Sequence, residues 1–120
     1  MKADCKQFIG LLFAARDYAH RQHLATDSYA QHVALGGFYD GVIELADTFA
    51  EAYMGREGKR IGNFEMITIP TGEPDKVLRR ILEVIEDIRD FVPAKDTALN
   101  NIIDEIVDLF LKTLFLLTLK

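Results

Sequence analysis

Residues 28–53 read SYAQHVALGGFYDGVIELADTFAEAY, and this stretch decides the fold. Its large apolar residues recur at helical spacing and share one face: Phe38, Val42, Leu45 and Phe49. Ser28 follows Thr26 and Asp27, and all three are good N-cap residues. The stretch therefore predicts an amphipathic helix that begins near Ser28 and ends at about Tyr53.

Three further segments have the same periodicity on either side of this helix. They run from about Ala3 to His23, from Pro74 to about Phe91, and from a cap at Asp96 or Thr97 almost to Lys120. Between the second and third helices lies a basic, glycine-containing loop with a short apolar piece, Phe64–Ile69, of uncertain type. Four apolar stripes on one 120-residue chain must be buried against each other, so the sequence predicts a single all-α domain, an antiparallel four-helix bundle.

The composition narrows the class of protein. Fourteen Lys and Arg stand against 19 Asp and Glu, giving a net charge of −5, which argues against a nucleic-acid-binding surface. A single cysteine, Cys5, excludes an intrachain disulfide and fits a reducing, cytoplasmic setting. The apolar C-terminal stretch 102–119 contains four charged residues, which argues against a membrane span.

Two groups of side chains have the chemistry of metal ligands. The histidines are His20, His23 and His32, and the second helix carries Asp40, Glu44, Asp47 and Glu51 at spacings of four, three and four. These spacings place all four carboxylates on one helix face. Such a stripe is either a solvated surface or a set of ligands, and neither signal is specific by itself.

Helix geometry limits how the two groups can meet. His20 and His32 flank one tight turn, whereas Asp47 lies 15 residues beyond His32, about 22 Å along the helix. Metal–ligand bonds are only about 2 Å long, so histidines and carboxylates cannot share an ion within one straight-helix subunit. Two copies of the second helix packed antiparallel across a two-fold axis would bring them together. Gly36 and Gly37 would allow close backbone approach there, or are simply a tolerated weakness in the helix.

The array His20-x11-His32-x14-Asp47-x3-Glu51 resembles the ferroxidase-site spacing of the Dps family, the ferritin-like DNA-binding proteins from starved cells. The resemblance implies a ferritin-like fold and a metal site of His20 and His32 from one protomer with Asp47 and Glu51 from its partner. It also implies iron as the cofactor (Fe2+ oxidised to Fe3+), with zinc or manganese as substitutes, and iron storage in a homo-oligomeric shell. The sequence departs from the family at Gly36, where an acid is common, and in its shortened middle loop. It also lacks a lysine-rich tail, so the family's DNA binding is not carried over.

A second hypothesis belongs to another class of protein. The chain would form a helical oligomer through its second helix, without oxidase activity, and would serve as a structural or partner-binding module. The shortened loop and Gly36 favour this hypothesis, and the intact four-residue array opposes it. A third reading, a helical adaptor unrelated to ferritins, requires the spacing to be a coincidence.

Overall fold

The computed structural model describes residues 4–120, which form four α-helices and one short 3-10 turn. The helices are α1 (Cys5–Ala25), α2 (Tyr29–Glu57), α3 (Pro74–Ile88) and α4 (Thr97–Leu116), with the 3-10 turn at Arg89–Phe91. No strand occurs among the described residues. The prediction of an all-helical, bundle-like chain is confirmed.

The helix ends follow the capping chemistry of the sequence. Asp4, Ser28 and Asp96 are the N-caps of α1, α2 and α4, and each side chain accepts a hydrogen bond from a backbone N–H three residues later. Gly58 ends α2 in the left-handed conformation, at φ 71°, where glycine avoids the steric cost that a Cβ would bring.

Three predicted helix ends were wrong. Helix α2 continues one turn past Tyr53 to Glu57, and α3 gives way to the 3-10 turn after Ile88. Helix α4 ends at Leu116 instead of almost at Lys120. The predicted start of α1 at Ala3 lies outside the described residues.

Helix α2 packs between α1 and α4, and α3 contacts both α1 and α4. Two contacts fix the direction of α4. Arg56, at the end of α2, forms an ion pair with Asp96 at the start of α4, and the rings of Phe38 and Phe110 lie 4.8 Å apart. Helix α4 is therefore antiparallel to α2, and its last turns lie beside the first turns of α2.

The core is made of the predicted apolar stripes, and its largest side chains are fully buried phenylalanines. Phe8 of α1 packs against Phe49 of α2 with ring centroids 4.8 Å apart, and both approach Phe91 beyond α3. Burying one such aromatic ring removes about 150–250 Å² from water. These contacts hold three elements together at the end of the molecule where α1 begins.

The chain between α2 and α3 runs along α1 rather than forming a helix or strand. We call residues 60–73 the connecting segment. Phe64 makes an edge-to-face contact with Phe13, with centroids 5.1 Å apart, and the carbonyl of Gly72 accepts a hydrogen bond from Tyr18. The segment therefore advances in the same direction as α1, and α3 then returns in the opposite direction. Among the described residues no helix is both long enough and apolar enough to cross a bilayer.

Candidate functional site

Two histidines close the turn between α1 and α2 with a reciprocal pair of hydrogen bonds. Nδ1 of His23 lies 2.6 Å from the carbonyl oxygen of His32, and Nδ1 of His32 lies 2.7 Å from the carbonyl oxygen of His23. The two rings stack with centroids 3.6 Å apart and planes 18° apart. His32 thereby satisfies a carbonyl in the last turn of α1, where a helix leaves such groups without a backbone partner.

This geometry selects the tautomer that each ring adopts when it is neutral. A carbonyl oxygen can only accept a hydrogen bond, so each imidazole donates from Nδ1. In the neutral rings Nε2 then carries the free lone pair, and it is the only ring atom left to bind a ligand or a proton. The two Nδ1 atoms are occupied by the hydrogen bonds that hold the α1–α2 turn together.

The third histidine belongs to the same cluster through an aromatic neighbour. His20 stacks on Tyr39 with ring centroids 4.0 Å apart and planes 10° apart, and its ring lies 6.3 Å from that of His23. The sequence predicts a pairing of His20 with His32 and gives His23 no part in the metal site. His23 is instead the centre of the cluster, since it contacts His32 and lies edge-on to Tyr39 as well.

Gly36 makes room for this cluster. A Cβ at this position would lie 3.1 Å from Cε1 and 3.2 Å from Nδ1 of His23, closer than such contacts normally come. At Gly37 a Cβ would meet nothing within 4 Å. The idea that both glycines let a second copy approach is therefore unsupported for Gly36, because a ring of the same chain occupies its space. The sequence feature that indicates this close packing of the His23 ring is Gly36 itself, one helical turn after His32.

The acidic stripe lies apart from the histidines. Asp40, Glu44, Asp47 and Glu51 are all exposed on α2, which is an unbroken helix from Tyr29 to Glu57. The 15 residues between His32 and Asp47 thus correspond to about 22 Å. In residues 4–120 the structure gathers no three His, Cys, Asp or Glu side chains in a position to hold a metal ion. A site of His20, His32, Asp47 and Glu51 shared between two chains stays a prediction.

Exposed apolar side chains lie at the end of the molecule that contains the histidine cluster. We call seven of them, from the α1–α2 turn and the last turns of α4, the apolar end: Leu24, Tyr29, Val33, Leu111, Phe115, Leu116 and Leu119. Tyr29 is 81% exposed, Leu24 72% and Phe115 62%. The antiparallel packing of α4 on α2 brings the members together at one end of the molecule. Only Phe13 and Met66 are comparably exposed elsewhere in the described chain.

The sequence places this all-helical protein in a family. The model of a family of unknown function, DUF5856, matches residues 23–117, and the chain belongs to that family. It is 33% identical over 121 residues to an uncharacterized 14.6 kDa protein from the mobD-ri intergenic region of Enterobacteria phage T4. That match covers 99% of this chain and 90% of the phage protein. No solved structure matches the chain.

These findings overturn the resemblance to the Dps family. The family match spans His32, Asp47 and Glu51, so three of the four residues that carried the resemblance lie within a match to a different family. Four residues are a short pattern, and the two acids among them belong to an acidic stripe that an exposed amphipathic helix produces for solubility alone. The ferritin-like part of the predicted fold has no matching solved structure to support it.

Proposed function

We propose that this protein is a self-associating helical module, in which two copies join through their apolar ends. The observation that carries the proposal is that seven exposed large apolar side chains lie at the end of the molecule that contains the α1–α2 turn. Exposed apolar residues concentrated in one part of a protein are typical of protein–protein contacts.

The size of the surface fits a second copy of the chain. From their exposed fractions, these side chains present on the order of 800 Å². A standard interface takes about 800 Å² from each partner. Lys112, which is exposed between Leu111 and Phe115, forms an ion pair with Asp108 of the same helix, so these two residues add no net charge to this end.

The charges on α2 also indicate which part of this helix lies in the proposed interface. The acidic stripe continues along α2 from Asp40 to Glu51. Any side-by-side pairing of two α2 helices that brings these stripes face to face would set like charges against each other. Contact restricted to the apolar end avoids this repulsion. It gives an elongated, end-to-end dimer rather than the side-by-side pairing of α2 helices predicted from the sequence.

The histidine cluster supports the interface by holding the turn in place. Reciprocal hydrogen bonds between His23 and His32 fix the positions from which Leu24 and Val33 project. A surface that is ordered before contact loses less conformational entropy on association. The role of the two histidines in this proposal is therefore structural.

Analytical ultracentrifugation across about 1 µM to 1 mM protein tests the proposal. We expect a monomer–dimer equilibrium for the wild type. Val33→Lys with Phe115→Lys should weaken it about tenfold or more, because two charges enter the apolar contact. Met66→Lys is the matched control, since Met66 is 93% exposed but lies on the connecting segment. A monomeric wild type throughout, or an equal effect of the control, would refute the proposal.

A further inference from the structure

A groove lies between the connecting segment and α3, at a distance from the apolar end. It has a volume of about 490 Å³, within the range of small-molecule sites. Its walls are aliphatic and come from three elements: Leu11 of α1, Ile67 and Ile69 of the connecting segment, and Val77, Ile81 and Val84 of α3. We call it the α3 groove.

The α3 groove stays open because the connecting segment is held from the other side. Tyr18 of α1 binds the Gly72 carbonyl, and Ile67 reaches over α1 toward Gly10, where its Cδ1 lies 3.0 Å from the position of a Cβ. These contacts fix the segment on α1 while Val77 and Val84 across the groove remain only partly buried. The result is a slot lined by facing aliphatic side chains.

The charges at the rim of the groove indicate the charge of the ligand that fits it. Lys76 and Arg80 are exposed one helical turn apart on α3, and both line the groove. Glu73 is the one acid of the lining, and Arg80 also forms an ion pair at 3.6 Å with Glu83, which lies outside the lining. The lining itself therefore holds two cations and one carboxylate, in a protein whose net charge is −5. An amphiphile with a single anionic head group matches this arrangement.

We propose that the α3 groove binds an aliphatic monocarboxylate, a fatty acid of medium chain length. Its alkyl chain lies between the connecting segment and α3, and its carboxylate lies against Lys76 and Arg80. This inference is independent of the self-association of the apolar end, because the two surfaces share no residue.

Isothermal titration of the full chain with octanoate, decanoate and dodecanoate, below their micelle concentrations, tests the proposal. We expect one site per chain and affinity that rises by up to about fourfold for each added methylene until the groove is full. Decyltrimethylammonium, which has the same chain and the opposite charge, should bind at least tenfold more weakly than its carboxylate counterpart. Absence of decanoate binding, or equal binding of the cation, would overturn the proposal.

Variants separate the groove from other apolar surfaces. Lys76→Glu with Arg80→Glu should weaken decanoate binding at least tenfold. Arg79→Glu is the matched control, because Arg79 is an exposed neighbour on α3 that does not line the groove. Val84→Phe fills the slot and should abolish binding while the helical content of the protein is unchanged. An equal response of Arg79→Glu and the double variant would overturn the assignment of the head group.

Methyl-group NMR gives a second readout that does not depend on variants. Decanoate should shift the methyl signals of Ile67, Val77 and Val84 and leave those of Val33 in place. Shifts confined to Val33 would assign binding to the apolar end and overturn the proposal. If the groove methyl signals shift with protein concentration in the absence of decanoate, a second copy of the chain occupies the groove. That result would also overturn the proposal.

Discussion

The hydroxyl of Tyr18 donates a 2.6 Å hydrogen bond to the backbone carbonyl of Gly72, 54 residues later in the chain. This bond anchors the end of the connecting segment on α1, immediately before α3 begins at Pro74. It therefore fixes where α3 starts and holds one wall of the α3 groove.

Tyr18→Phe removes this hydrogen bond without changing the packing of the ring. We expect a loss of about 0.5–1.5 kcal/mol in the free energy of unfolding, measured by urea denaturation. Tyr29→Phe is the control, since Tyr29 is exposed and its replacement should have almost no effect. Equal losses in the two variants would show that the Tyr18 bond contributes nothing specific.

Gly36 and Gly37 form a matched pair within α2. Gly37→Ala should stabilise the protein by about 0.8–1.0 kcal/mol, because alanine favours the helix and its Cβ meets nothing. Gly36→Ala should give no such gain, because the methyl group displaces the ring of His23 and disturbs both hydrogen bonds of the histidine pair. Thermal unfolding measures both changes. In a His23→Ala background, Gly36→Ala should stabilise the protein as Gly37→Ala does. Equal stabilisation by the two glycine variants in the wild-type background would contradict the close contact between position 36 and the His23 ring.

Burial protects the thiol of Cys5. Desolvation, with the charge of Asp4 as the smaller cause, raises the pKa of Cys5 from 9.0 to about 12. We expect Ellman's reagent to react with the folded protein about a hundredfold or more slowly than with the urea-unfolded chain at the same pH, because the reactive species is the thiolate. Rapid native-state labelling would contradict the buried position.

The same shift makes stability depend on alkaline pH. The folded pKa lies above the unfolded one, so the contribution of Cys5 is fully present below pH 9.0 and is lost as the pH rises toward about 12. Burial, assisted by Glu73 and Asp75, raises the pKa of Tyr18 from 10.0 to about 12, and its contribution is lost over a similar range. Tyr18→Phe should therefore show a shallower decline of melting temperature above about pH 10 than the wild type. An unchanged pH profile would refute this assignment.

The carboxylate of Asp96 stabilises the fold at neutral pH, and this contribution is lost as the pH falls. Hydrogen bonds from Arg56, together with one from the backbone N–H of Leu99, lower the pKa of Asp96 below its ordinary 3.8, although burial opposes them. A lowered carboxyl pKa stabilises the fold above the unfolded value, and the effect is lost as the pH falls through the folded value. Asp96→Asn keeps a good N-cap and removes the charge, so it should lower the melting temperature at neutral pH and much less at about pH 2 to 3. A difference that stays constant with pH would argue against the charge as its cause.

The shared iron site and the end-to-end dimer assign different roles to Asp47 and Glu51. These residues lie far from the apolar end, so Asp47→Asn with Glu51→Gln should leave the dimerisation constant unchanged. The iron hypothesis instead requires the same variant to lose rapid oxidation of Fe(II), measured by ultraviolet absorbance after anaerobic loading and exposure to air. Recovery of oxidation on mixing His32→Ala chains with Asp47→Ala chains would favour the shared site over the proposed interface.

The sequence by itself determined the helices and their buried faces. Phe38, Val42 and Phe49 recur at a helical period, and the caps at Ser28 and Asp96 depend on neighbours only three residues away. Local patterns of this kind can be read directly, because both the hydrogen bonds and the periodicity lie within a few residues. The sequence predicts too long an α3, because the 3-10 turn at Arg89–Phe91 continues the apolar pattern without continuing the helix.

Only the tertiary structure decided what the candidate functional residues do. His23 contacts His32 nine residues away across the turn, and its ring lies in the space that Gly36 leaves open. The apolar end exists because α4 returns beside the start of α2, and the α3 groove exists because Tyr18 holds Gly72. Such contacts depend on how helices are placed in space. A linear spacing such as His32 to Asp47 excludes a contact within one straight helix but carries no information about contacts between helices or between chains.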